Sequence, residues 1–260
     1  MIWLDFLPDI TIVSKDLLNF NPPEKADLLI SNHLGSFGDD QLLPEQLDKA
    51  RKWLKKDGCC IPSKVTSHIN PVMSSTLYNQ LRFEHKCKDR REVHAANPAF
   101  FATEQLYSTD FSGDVYHIAE AKQLFAFDLL ESARDRCCFA EQEFKVKQDC
   151  VLNGFAGYFE AVLYDDITLS TLPKTKTEGL QMLPAFIPVL TPQQLKAGEE
   201  LKVHFWRCQE QQRVWYEWST SRPHISPIHN SRKHAFFMTT DWLITFLMTL
   251  FCLQTNFWKK

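Results

Sequence analysis

A two-residue rhythm near the C-terminal third of the chain constrains its fold more than any other feature. Leu201, Val203 and Phe205 fall on one face of an extended backbone, and Lys202, His204 and Trp206 fall on the other. Val214, Tyr216 and Trp218 repeat the pattern a few residues later. A helix would scatter these residues around its surface, so the rhythm predicts strands with one buried face. Polar turns, such as residues 173–179, separate further strand-like runs. Together they predict an antiparallel β-sandwich or β-barrel over residues 61–230.

The first sixty residues follow a different grammar. Residues 10–13 and 28–31 are short apolar runs that predict buried strands. The turn between them, around Pro22 and Pro23, leaves no room for a crossover helix. Pro44 opens a predicted helix, with Glu45 and Asp48 near its start. Lys52, Lys55 and Lys56 stand near its expected end, and Gly58 just beyond as a cap. Leu47, Ala50 and Leu54 would form its apolar stripe. Residues 231–260 form a separate tail whose stretch from Trp242 to Leu253 is almost wholly apolar. That stretch is shorter than the roughly 20 residues a bilayer span requires. A buried helix, an interfacial anchor helped by Lys259 and Lys260, and a segment without a selected role all remain open for it.

Composition narrows the function classes. With 44% hydrophobic and 23% charged residues the chain is globular. Its net charge of −3 gives no strong field for nucleic acid or an anionic membrane. Eight cysteines occur, including the neighbours Cys59–Cys60 and Cys137–Cys138, but no CxxC pair and no zinc spacing. They read as reduced thiols of a cytoplasmic or nuclear protein. The segment from Met1 to Leu7 lacks the positive region of a signal peptide.

The run from Glu24 to Glu45, EKADLLISNHLGSFGDDQLLPE, carries a resemblance. It resembles the active-site segment of the type II, symmetric-dimethylating protein arginine methyltransferases. The stretches IPSKVTS from Ile61, LNGFAGYFE from Leu152, FWRC from Phe205, VWYEW from Val214 and IHN from Ile228 resemble the same family, in order. The resemblance implies an α/β + β fold: a truncated C-terminal part of a Rossmann-like methyltransferase domain over residues 1–60, then the antiparallel β-barrel or sandwich. It makes residues 10–13 and 28–31 the fourth and fifth strands of the methyltransferase sheet.

The family uses S-adenosyl-L-methionine, and Asp16 and Leu17 correspond to its adenine-contacting turn. The glycine-rich turn and ribose-binding acid that complete such a pocket have no counterpart in this sequence, so weak or absent cofactor binding is expected. Two family glutamates grip the substrate arginine, and their positions hold Asn32 and Gln41 here. Leu34 and Trp206 match substrate-contacting positions, Trp206 as an aromatic that would stack on the guanidinium. A guanidinium is always charged and offers only donors. Paired carboxylates orient it by charge-assisted bonds, which an amide cannot reproduce. Losing each such bond costs about 1.5–3 kcal/mol, which implies roughly 10²- to 10⁴-fold slower chemistry. Asp39, Asp40 and Glu45 lie close enough in sequence to be considered as substitutes, against the simpler roles of loop hydrogen bonding and helix N-terminal charge. His33, where the family has leucine, reads as a partly exposed loop residue rather than a base or metal ligand.

Three functions follow: an arginine methyltransferase with residual activity toward histone-like or Arg/Gly-rich proteins, a pseudoenzyme whose β part serves homo-oligomerisation or substrate docking, or a partial gene product. No nucleic-acid partner is expected.

Overall fold

The computed structural model describes residues 20–88, 102–111, 113–133, 135–210, 213–231 and 236–237. The expected strand at residues 10–13, Asp16, Leu17 and the apolar tail lie outside the described residues.

The described residues open with a β-α-β unit. β1 (Ala26–Ile30) leads through a loop to α1 (Leu43–Ala50), a 3-10 turn (Arg51–Trp53) and β2 (Leu54–Ile61). β1 and β2 run parallel, with Leu28 opposite Cys59 and Ile30 opposite Ile61. A parallel pair needs a crossover, and α1 supplies it. Pro44 stands in the first turn, Glu45 and Lys49 suit the two helix ends, and Leu43, Leu47 and Ala50 are buried.

The helix is shorter than its charge pattern predicts. Leu54, Lys55, Lys56 and Gly58 belong to a strand, and Lys55 pairs with Asp27 of β1 at 2.8 Å. Gly58 is no helix cap, because a β-carbon there would sit 2.9 Å from the Asp27 carbonyl. Pairing with a strand some thirty residues earlier overrides the local helical signal.

The chain continues through β3 (Lys64–Met73), α2 (Ser75–Lys88), β4 (Tyr107–Ser108), β5 (Tyr116–His117), β6 (Lys122–Asp128) and β7 (Cys138–Lys145). Then follow β8 (Cys150–Tyr164), β9 (Ile167–Ser170), β10 (Ala185–Leu195), β11 (Glu200–Glu210), β12 (Arg213–Arg222) and β13 (Phe236–Phe237). All pairings among these strands are antiparallel. One seven-stranded sheet orders as β4-β10-β8-β3-β5, with β6 also on β3 and β9 also on β8. A four-stranded sheet orders as β13-β12-β11-β7.

The alternation at β11 and β12 has the expected consequence. Leu201, Val203, Phe205, Val214, Tyr216 and Trp218 are buried in one core with residues of the larger sheet. Phe205 meets Phe155 edge-to-face at 5.4 Å, and the Trp218 indole donates to the Pro188 carbonyl at 2.9 Å. Among the described residues the two sheets do not close into a barrel.

His229 seals one end of this core. Its ring stacks on Trp218 at 5.3 Å, its Nδ1 lies 3.0 Å from the Trp218 carbonyl, and its Nε2 accepts from the Leu190 N–H at 2.7 Å. Burial lowers its pKa and keeps the ring neutral. β13 then pairs with Arg213 and Val214 of β12.

Candidate functional site

The loop between β1 and α1 carries three of the predicted site residues, Asn32, Leu34 and Gln41. Its entry stays tied to β2, since the Ser31 N–H donates to the Ile61 carbonyl at 2.9 Å. Within it, the Asp40 carboxylate accepts from the N–H groups of Ser36 (3.1 Å) and Phe37 (2.9 Å). This turn needs glycine at two positions. Gly35 has φ +63° and Gly38 φ +88°, and a β-carbon on either would collide, with Asp40 Oδ1 at 2.1 Å or with Phe159 Cβ at 2.6 Å. Leu42 also adopts a left-handed conformation, φ 61°, which is costly for a bulky residue.

Phe37 anchors the loop in the β part. Its ring is fully buried, edge-to-face with Tyr216 at 5.3 Å. It rests over Gly157 in β8, where a β-carbon would come within 2.8 Å of the ring.

A buried ion cluster completes the attachment. The Arg207 guanidinium from β11 bonds the Asp39 carboxylate through Nε and Glu45 through Nη1 (2.7 Å) and Nη2 (3.2 Å). It also donates to the carbonyls of Asp39 and Arg136. Tyr216 and Ser67 donate hydroxyl bonds to Asp39 at 2.8 and 2.7 Å. Burial alone would lower the Arg207 pKa, but Asp39, Tyr216 and Glu45 carry it well above its ordinary value. A second guanidinium supports the first: Arg136 grips Asp48 of α1 with two bonds of 2.8 Å.

The three neighbouring acids are therefore committed. Asp39 and Glu45 both bond Arg207, and Asp40 braces the turn. Asp40 is fully buried, and that burial, reinforced by Asp39 and opposed by the two N–H groups, raises its pKa to about 6. Asn32 and Gln41 are the opposite case, because both side chains are exposed on the solvent side of the loop.

Residues 64–238 match the family described as the PRMT5 oligomerisation domain, and residues 3–61 match the PRMT5 arginine-N-methyltransferase family. The chain belongs to the PRMT5 family. The Xenopus laevis protein arginine N-methyltransferase 5 is 36% identical over 234 residues, covering 87% of this chain and 35% of that protein. The Drosophila melanogaster protein of the same name is 39% identical over 242 residues, covering 91% and 37%. The chain thus spans about a third of the length of these PRMT5 relatives. The fold is shared more widely. The Trypanosoma brucei PRMT1 enzyme-prozyme heterotetrameric complex with AdoHcy aligns with TM-score 0.64 at 14% identity, over 81% of this chain and 68% of that one. Arabidopsis thaliana protein arginine methyltransferase 10 aligns with TM-score 0.62 at 15% identity, over 82% and 71%.

The other expected site residues of this PRMT5-family chain are dispersed. Leu34 is buried in the core rather than presented to solvent. His33 is also buried, where a partly exposed position was expected. Its Nδ1 lies 3.1 Å from the Ser31 hydroxyl, and burial lowers its pKa. Trp206 lies on the opposite face of β11 from Arg207, packed with Phe139 at 5.3 Å and His204 at 6.1 Å. It therefore faces away from the loop that carries Asn32 and Gln41. Among the described residues no cluster of His, Cys, Asp and Glu could hold a metal. A cavity of about 150 Å³ between α2 and the larger sheet, lined by Leu77, Leu81, Tyr107 and Phe186, does not fit a nucleoside-sized cofactor. Ligand pockets of that kind run roughly 300–1,000 Å³.

Arg207 is the residue that sequence reasoning missed. It continues the inward series of Leu201, Val203 and Phe205, so a charge was due on a buried face. Such a charge requires buried acids to meet it.

Proposed function

We propose that this chain is a type II-like member of the PRMT5 family whose arginine-binding site is impaired, so that it transfers methyl groups from S-adenosyl-L-methionine poorly if it meets the cofactor. One observation carries the reading. In the loop that resembles the family's active site, every nearby carboxylate is engaged inward, and only the neutral Asn32 and Gln41 face solvent. Among the described residues of this loop and the first turn of α1, no acid is left to take the place of the glutamate pair, and an amide brings one acceptor oxygen but no charge.

The alternative role is a non-catalytic one, in homo-oligomerisation or substrate docking through residues 61–230. The match of residues 64–238 to the PRMT5 oligomerisation domain supports it. The free thiols of Cys59, Cys60, Cys137, Cys138, Cys150 and Cys208 support a cytoplasmic or nuclear setting.

The test is calorimetric titration with an Arg/Gly-rich peptide. The variant carrying Asn32→Glu and Gln41→Glu should bind the peptide at least about tenfold more tightly than the natural chain, the equivalent of one charge-assisted bond. Equal affinity would sink the reading, as would methyl transfer by the natural chain at the rate of the double variant.

A further inference from the structure

We infer that the outer face of the four-stranded sheet docks an arginine side chain of a partner protein, stacked on Trp206 and bonded to Glu217. The inference gives docking a place in the fold, so it rests on the docking alternative above and on no property of Asn32 or Gln41. Three aromatic rings meet on this face. Leu201, Val203 and Phe205 point into the core, so His204 and Trp206 point out of it. Phe139 of β7 stands directly opposite Trp206. The rings are in contact in every combination: Phe139 with Trp206 at 5.3 Å, Phe139 with His204 at 6.0 Å and His204 with Trp206 at 6.1 Å. Their planes differ by 36°, 13° and 24°, so they lie nearly parallel rather than around a central hole. Phe139 is 52% exposed, which leaves the group open to solvent. A guanidinium is planar and weakly hydrated, and it joins near-parallel rings as one more layer.

Charge selects the occupant. Glu217 of β12 stands directly opposite Trp206, on the side away from Phe139. Such neighbours hold their side chains about 5 Å apart on one face. The Glu217 carboxylate is fixed by the Trp215 indole N–H, which donates to Oε1 at 2.9 Å. That bond is neutral, and among the described residues no cation forms an ion pair with Glu217. The cations of this face are spent elsewhere: Lys202 on Glu141 and Glu143, Arg222 on Glu143 and Glu200, Arg213 on Glu210. An aromatic face beside a carboxylate without a counter-ion suits a cation that can stack and form two parallel bonds at once. The sheet already holds one such combination, since Arg213 lies over the Trp215 ring at 5.4 Å while it bonds Glu210. A phosphate would be repelled by Glu217 and by Glu141, whose carboxylate lies 3.7 Å from His204, so the rings do not suit nucleic acid.

The experiment titrates the full chain with Arg/Gly-rich, Lys/Gly-rich and Gln/Gly-rich peptides of equal length and follows the Trp206 indole N–H signal by NMR. The arginine peptide is expected to move that signal and to bind about fivefold more tightly than the lysine peptide, one stacking contact's worth. The glutamine peptide should leave the signal still. Glu217→Gln keeps an oxygen for the Trp215 indole and removes only the charge. It should weaken arginine binding about fivefold while the unfolding temperature stays the same, a combination that a merely structural role would not give. Asn32→Glu and Gln41→Glu should leave the Trp206 response unchanged. Lysine binding as tightly as arginine overturns the proposal, as does unchanged affinity in Glu217→Gln. Arginine-peptide binding with a silent Trp206 signal removes this surface and leaves the docking role standing. If no peptide binds the natural chain, the surface and the docking role both fail.

Discussion

The loop at residues 31–42 and the β11–β12 ribbon meet at Arg207, yet they are held in place by different forces. The ribbon is held by area. Phe205, Tyr216 and Trp218 bury their rings against the larger sheet, and each fully buried side chain of that size contributes roughly 1.5–3 kcal/mol. The loop, apart from Leu34, Phe37 and Leu42, is held by directed contacts: Asp39, joined by Glu45 of α1, on one guanidinium, and Asp40 on two backbone N–H groups. Area tolerates small shifts, whereas directed contacts fail when one partner is removed. The difference teaches where the molecule is fragile and which of its polar groups are free to meet a ligand.

The sharpest way to break this contrast is Arg207→Met. It leaves the buried Asp39 and Glu45 without their counter-charge, Asp39 keeping only the Tyr216 and Ser67 hydroxyl bonds, and breaking such a cluster costs about 3–5 kcal/mol. Urea unfolding would measure it. Adding Asp39→Asn and Glu45→Gln to the same chain should recover much of the loss, because the stranded charges go with their partner. Failure of the triple variant to regain stability would mean that the guanidinium acts by packing, like the aromatic residues beside it.

Asp40→Asn probes the turn and gives a smaller effect with a definite pH sign. Burial raises the folded pKa of Asp40 from 3.8 to about 6, so the folded chain holds a proton that the unfolded chain releases. Asp40 therefore favours folding at low pH, and that contribution is lost as pH rises through 6. At pH 8 the variant should exceed the natural chain by up to about 3 kcal/mol. The gap should narrow as pH falls through 6 and close near pH 4. Denaturation midpoints across that range would check it, and a gap independent of pH would show that the charge is irrelevant. The smallest effect is expected on the outer side of the loop. Asn32→Ala and Gln41→Ala should each change stability by less than about 0.5 kcal/mol, as exposed substitutions do. A larger loss in thermal unfolding would place these amides in the structural network.

How much of this was legible in advance follows the same divide. The ribbon could be read because a strand repeats every two residues, and the inward parity of Leu201, Val203 and Phe205 survives folding intact. The helix start was legible at Pro44, but its end was not, since β2 is set by a partner in β1. Lys55, Lys56 and Gly58 satisfied a helical rule that the tertiary pairing then overruled. In the loop, no periodicity says which way a side chain turns. Asp39 and Asp40 look as solvent-facing as Gln41 until Arg207 and the turn geometry assign them. His33 was misjudged for the same reason.

The seat of Phe37 on Gly157 has a consequence for engineering. The join between loop and sheet is encoded as much by a missing methyl group as by the ring that occupies its space. Anyone grafting this loop onto another β scaffold would have to carry the bare strand position with it, because an alanine there would evict the ring and leave the graft unmoored.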